Sequence, residues 1–439
     1  MAEFDPGRYL RLLGERGLLG PGRQDHHWSS PLTEAANCLV AAGSISLEEA
    51  QGIVDDYELA KAARGQGHGM LVMRHHRRAT AESDDDAKPP RVVPCGQTIA
   101  TEDGTLEIHH VTLSEGGTSV SITFRPEKKA DRRRHRGGMV RFGRAPFHHG
   151  PPSITLRDDQ GNESDAEFGG GGSDDEWEGE YDADDPLSPD TAWIEIDGQR
   201  IDLGNDSPPS EVRIEDVEDE NPGLRHLWHR LAAGDRHFHQ SPTTLEAGID
   251  ALIAAGQLDP ASEELADFRA VAARLNHGGG PPGMHGRKRG GKLPEPWKSM
   301  INRQPSYPGA VGRVPVAAVS PTFDGVSVAV SYLEAHEDEG FSAHIQMSGG
   351  NVSHGPFEDA VLGRSSVAWW ARDDLGNHYL GGMGGWSGSE SGIRGNVHFE
   401  TPLDPKADWL ELMPTTVRRR AIIRIPLDGL ATSEPEDEA

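Results

Sequence analysis

The sequence predicts an α+β protein in which a helical hairpin followed by an antiparallel β-sandwich occurs twice. Three observations carry this expectation. Arg157-Asp158-Asp159-Gln160-Gly161-Asn162 returns 215 positions later as Arg372-Asp373-Asp374-Leu375-Gly376-Asn377. Pro186-Leu187-Ser188-Pro189 with Trp193-Ile194-Glu195-Ile196 returns at nearly that offset as Pro402-Leu403-Asp404-Pro405 with Trp409-Leu410-Glu411-Leu412. Two matches at one spacing mark an internal duplication. The third observation is the texture between them: short alternating apolar runs and glycine-rich turns without helical periodicity, which favours antiparallel sheet over α/β.

The elements follow in order. Residues 7–18 read as a short amphipathic helix. Ser30-Pro31 opens a stronger one, with serine as N-cap and proline at the first helical position. Leu32, Ala35, Ala36, Leu39 and Val40 recur at helical spacing, and Gly43 ends the run. Ser46 and Glu49 form a capping box for a second helix with Ile53, Val54 and Tyr57 on its apolar face. The pattern repeats at Ser241-Pro242 with Leu245, Ile249 and Leu252, then Ala254-Ala255-Gly256, then Asp259-Pro260 with Leu265, Phe268 and Val271. Val111, Val120, Ile122 and Phe124 alternate as half-buried strands do, and Val319, Val328, Val330 and Tyr332 match them.

These patterns divide the chain into a hairpin at 5–64, a linker at 65–90 and a sandwich at 91–204. A second hairpin follows at 222–276, a Gly/Pro-rich linker at 277–310, a second sandwich at 311–428 and an acidic, unstructured tail at 429–439. Trp193 and Trp409 are expected at equivalent buried positions.

Composition narrows the function. The net charge is −28, which disfavours general affinity for nucleic acid or acidic membranes. No run approaches the ~20 apolar residues of a membrane span. Two cysteines, Cys38 and Cys95, cannot form a disulfide scaffold, so the expectation is a cytoplasmic protein with reduced thiols.

No motif spells out a reaction. Arg-Asp-Asp-x-Gly-Asn has calcium-type ligands but lacks EF-hand spacing, and reads as a hairpin turn. Gly286 to Lys292 matches half of a phosphate-binding loop, but Leu293 stands where Ser or Thr belongs. Gly384-Gly385-Trp386-Ser387-Gly388-Ser389 misses the nucleophile-elbow register at its last position. The histidine doublets, His109-His110 among them, offer one ligand per face of a strand and read as exposed loop residues rather than a zinc set. No metal or other cofactor is expected.

The tryptophans and the arginines are more pointed. Trp369 takes the place of Ile154 and Trp370 that of Thr155, so alternation turns Trp370 outward. With Tyr379 and Trp386 just beyond the turn, this points either to a partner-binding aromatic surface or, equally, to packing of Trp370 on the neighbouring helical hairpin or the other copy. The loop before the first Arg-Asp-Asp turn is basic, and Arg132, Arg133 and Arg134 are its centre.

Leu39-Val40-Ala41-Ala42-Gly43 followed by Asp55-Asp56-Tyr57-Glu58-Leu59-Ala60 resembles a helical module of uncharacterised actinobacterial proteins. The Arg-Asp-Asp-x-Gly-Asn to Pro-Leu-x-Pro-x-x-x-Trp part is similar to immunoglobulin-like accessory domains of bacterial regulatory proteins. The resemblance implies tandem modules and brings no catalytic residues. The expectation is a non-enzymatic binding or regulatory scaffold for a protein partner. The alternatives are a hydrolase or metal-dependent enzyme using the His- and Asp-rich loops, and nucleic-acid binding through 128–144.

Overall fold

In the computed structural model the described residues are 4–19, 30–63, 91–127, 151–203, 211–233, 242–275, 293–302, 309–348, 367–389 and 392–432, less 102, 116, 173–175, 197, 218–220, 295, 337–339 and 429. They form an α+β chain of helices and two antiparallel sheets.

The N-terminal helices are α1 (Pro6–Leu19), α2 (Pro31–Ala41) and α3 (Leu47–Ala63). Later in the chain come α4 (Pro222–Ala233), α5 (Pro242–Ala254), α6 (Glu263–Leu275) and the short α7 (Trp297–Asn302). Ser30 caps α2, its Oγ accepting from the Thr33 amide at 3.1 Å. Gly43 and Gly256 end α2 and α5 at φ +69, a conformation in which a Cβ is strained. The amides that follow, of Ser44 and Gln257, reach back to Leu39 and Leu252 at 2.8 and 2.9 Å. Among the described residues the first helical region holds three helices and the second four, rather than a bare hairpin each. α2 packs along α5, joining the two regions into one helical layer. Gly248 on α5 permits the approach, since a Cβ there would lie 2.7 Å from the Cys38 sulfur.

The first sheet contains β1 (Arg91–Ala100), β2 (Gly104–Ser114), β3 (Gly117–Pro126), β4 (Ile154–Asp158), β5 (Glu163–Gly172), β6 (Trp177–Ala183), β7 (Trp193–Ile196) and β8 (Gln199–Asp202). Their order is β1-β2-β3-β6-β5-β4-β7-β8. The second contains β10 (Ala310–Val319), β11 (Ser327–His336), β12 (Gly340–Ser348), β13 (Ala368–Asp373), β14 (His378–Ser389), β15 (Gly392–Phe399), β16 (Trp409–Thr415) and β17 (Arg419–Pro426), in the order β10-β11-β12-β15-β14-β13-β16-β17. Two short strands extend this second sheet: β18 (Ala431–Thr432) beside β10, and β9 (Val212–Asp216) beside β17.

In each unit the strands form one continuous sheet, curled so that one face encloses its own core. Val93, Ile122, Leu156, Tyr181, Ile194 and Ile201, from strands across the first sheet, share one cluster. Val316, Phe341, Trp369, Val397, Leu412 and Ile425 do the same in the second. The sandwich expectation is thus met only coarsely.

The Arg-Asp-Asp motif closes the β4–β5 and β13–β14 hairpins. The Asp158 carboxylate accepts from the amides of Gln160 and Asn162 and from the Asn162 side chain, at 2.9, 2.8 and 2.6 Å. Asp373 accepts from the Asn377 amide at 2.8 Å and from the Tyr379 hydroxyl at 2.7 Å. Gly161 and Gly376 take φ +88 and +79.

Three boundaries change. The 277–310 linker contains α7, whose Trp297 is buried. The tail begins later than expected, because Ala431 and Thr432 pair with β10. The stretch between the first sandwich and the second hairpin supplies β9. The 65–90 linker lies outside the described residues.

Trp193 and Trp409 do occupy matching places, but half-buried rather than buried. Each lies on the outer face beneath an arginine of the next strand: Arg200 stands 4.8 Å from the Trp193 ring and Arg424 4.3 Å from the Trp409 ring. An exposed cation–π contact plus partial burial implies that Trp→Ala at either should cost about 1–2 kcal/mol, well short of a core tryptophan. Urea melts of the two single variants check this, and a loss above about 3 kcal/mol would restore the buried reading.

Candidate functional site

The predicted aromatic surface is not available to a partner. Trp370 does point away from the sheet core, but it is only 5 % exposed because helices cover that face. Its ring meets Trp297 edge-on at 5.0 Å, Trp297 meets Trp228 at 5.1 Å, and Trp228 meets Phe268 at 5.0 Å. Tyr379 is 1 % exposed, packed on Phe341 inside the sheet with its hydroxyl spent on Asp373. Trp386 lies in β14 with its backbone opposite Gly395, and its side chain lies outside the description. Arg132, Arg133 and Arg134, with the whole basic loop 128–144, lie outside the described residues, as does the 286–292 stretch.

What covers Trp370 exposes a difference between the sheets. Trp370 pairs with Leu380 on one side and Met413 on the other; with Ala368 and Ile422 they form an apolar face that joins the core of α4–α7. On the first sheet Thr155 pairs with Asp165 as Trp370 pairs with Leu380. There the face is polar: Ser153 is exposed, and Glu163, Asp165 and Glu167 stand exposed at alternate positions along β5. Asp184 and Asp185 continue the acidic ground past β6. Arg157 and Arg200 are exposed cations on that face, Arg157 held by Glu163 at 2.6 Å and Arg200 by Asp202 at 2.8 Å.

Where the sheets meet, their remaining polar faces form a seam. A bulge in β2 between Ile108 and His110, and one in β11 between Val330 and Tyr332, bring two consecutive residues from each strand to it. The His109 ring lies against Tyr332 at 5.0 Å, while His110 Nε2 lies 3.1 Å from Ser331 Oγ. Consecutive residues of one bulge thus reach consecutive residues of the other in reciprocal fashion, the pattern of a two-fold contact. Arg313 lies over Tyr332 at 4.5 Å and bonds Glu334 at 2.9 Å, and Tyr332 stacks on His344 at 3.9 Å. Arg394 bonds Glu180 and, at 2.7 Å, Asp182 across the seam. So His109 and His110 are buried, not exposed loop residues, because the bulge overrides strand alternation.

The seam holds its histidines neutral. Burial first, then the Arg313 guanidinium, lowers His109 to about 4. Burial and His109 lower His110 to about 3, and burial with Arg313 lowers His344 to about 3. Burial raises the Glu180 carboxyl against the pull of Arg394.

A second buried polar centre sits between α2 and α4. Glu34 accepts from His226 Nε2 and from Arg230 Nε, both at 3.1 Å. Glu34 and His226 are fully buried. Burial opposes the Glu34 charge, but Arg230 and His226 overcome it and hold the carboxyl below its usual range. His226 Nδ1 is buried with no hydrogen-bond partner among the described residues. Cys38, one helical turn from Glu34, completes a group whose ligand atoms lie within 4.8 Å of one another. Burial and Glu34 push the Cys38 thiol well up. Among the described residues these three are the group that could hold a metal ion. A glutamate inside the apolar run Leu32 to Val40 was the available sequence signal; its partners lie 192 and 196 positions away.

Comparison with known proteins adds no family. No family model matches, and no curated protein does. A crystal structure of a conserved domain protein from Bacillus anthracis aligns over 74 % of this chain and 77 % of its own, at 10 % identity and a TM-score of 0.17. A likeness that weak carries no argument. Among the described residues no helix is long and apolar enough to cross a membrane.

Proposed function

We propose that the chain is a non-enzymatic binding scaffold made of a duplicated α+β unit, and that it engages a basic protein partner through the outer face of the first sheet. One observation carries the reading: the outer face of the second sheet is apolar and covered by helices, whereas the matching face of the first is acidic and exposed at Glu163, Asp165 and Glu167. The common strand order and the shared bulges support the duplication. An exposed, acidic sheet face is suited to a polar contact. Alternating carboxylates on one strand steer a basic partner and fix its register, and the attraction weakens with salt.

The distribution of ionisable groups disfavours the enzyme alternative. The described histidines with strongly lowered values are spent on the seam between sheets. Both thiols are raised, Cys95 to about 12 by burial, the opposite of what a nucleophile needs. The same acidic face opposes nucleic acid.

The test is capture from the native host by the full chain and by an Asp165→Lys, Glu167→Lys variant. The wild type should capture a basic protein, and the variant should capture at least tenfold less at ~0.15 M salt while melting at the same temperature. A folded variant that captures the same protein equally well would remove the acidic face from the account.

A further inference from the structure

We propose that Glu34, Cys38 and His226 form a binding site for one thiophilic divalent cation of the zinc class, joining the first helical region to the second. Glu34 and Cys38 lie one turn apart on α2 and His226 faces them from α4, so the ion would bridge segments nearly two hundred residues apart in sequence. A carboxylate, a thiolate and an imidazole are the ligand types zinc takes, and hard cations such as calcium do not use sulfur.

The geometry is close to what such an ion requires. With metal–ligand distances of about 2.0–2.3 Å, tetrahedral ligands lie roughly 3.3–3.8 Å apart. Glu34 Oε1 and His226 Nε2 stand at 3.1 Å, and all three ligand atoms fall within 4.8 Å of one another. The second observation is the imidazole itself. In the ion pair its Nε2–H faces Glu34 and Nδ1 is buried with no partner among the described residues, so Nδ1 is free to take the proton that Nε2 gives up to the ion. Arg230 holds the other carboxylate oxygen, Oε2, and so orients Glu34 from outside the ligand set. Gly248 brings the α5 backbone over the cysteine sulfur and closes the site from above. Binding replaces the Cys38 S–H and His226 Nε2–H bonds by bonds to the ion; the thiol proton leaves to solvent and the imidazole proton passes to Nδ1. Such complete burial assigns the ion a joining role and not a catalytic one.

The site is independent of the acidic face on the first sheet, and its test reads sulfur ligation directly. The full chain, stripped with chelator, is titrated with Co²⁺. One equivalent should produce a thiolate-to-cobalt charge-transfer band in the near ultraviolet that Zn²⁺ displaces. Cys95→Ser should keep the band, Cys38→Ser should lose it, and His226→Gln should weaken cobalt binding at least tenfold. The chain's other histidines cannot mimic this signal, because the band needs a thiolate. Should Cys38→Ser fail to fold, X-ray absorption of the zinc-loaded wild type decides: one sulfur among nitrogen and oxygen scatterers is expected. A band retained in folded Cys38→Ser, no band at one equivalent, or a zinc shell without sulfur would each overturn the site.

Discussion

Replacing Glu34 by alanine should cost about 3–5 kcal/mol in a denaturant melt run with chelator present, among the largest effects of any single substitution in the chain. Arg230 and His226 would each lose a bond to this carboxylate inside the helix interface. The cost comes from removing one partner of a buried charge pair and not from the intrinsic worth of the pair. The paired change Glu34→Leu with Arg230→Met should therefore recover most of it. A double variant as unstable as the single one would show that the helices depend on the shape of Glu34 rather than on charge balance.

Acid should open the seam between the sheets. His109, His110 and His344 sit near 4, 3 and 3 in the folded chain against an ordinary value of 6.5. A depressed value means the folded state binds fewer protons than the unfolded chain below pH 6.5. The stability is complete above that pH and falls as pH drops towards the folded values. Three such groups give a slope approaching about 4 kcal/mol per pH unit between roughly pH 6 and 4. Glu180, raised by burial, works in the opposite direction by at most one proton. Unfolding free energies of the full chain at pH 7 and pH 5 should differ by several kcal/mol, and His110→Asn with His344→Gln should flatten the dependence. Equal stability at the two pH values would show that the seam is hydrated or open.

How much of this was legible in the sequence varies by element. The helix caps at Ser30 and Gly43, the Asp-x-Gly hairpins and the alternating strands were readable, because each depends on residues within a few positions of one another. Strand alternation also placed Trp370 outward. Its cover was invisible, since α7 is a six-residue helix inside a Gly- and Pro-rich stretch and reaches Trp370 only in three dimensions. The half-buried indoles of Trp193 and Trp409 were misread for a related reason: the arginine above each sits on the next strand. His109 and His110 reach one seam because of a β-bulge, a backbone feature with no signature in side-chain type. The Glu34 centre joins the ends of a long separation, and no local pattern reports its partners.

Hydrogen exchange on the full chain with and without its captured partner is the most direct measurement of the central claim. The account predicts slowed exchange in residues 154–172 and 193–202, the strands that present the acidic face, with 368–389 and 409–426 unchanged. Protection confined to the second sheet, with the first unaffected, would contradict it.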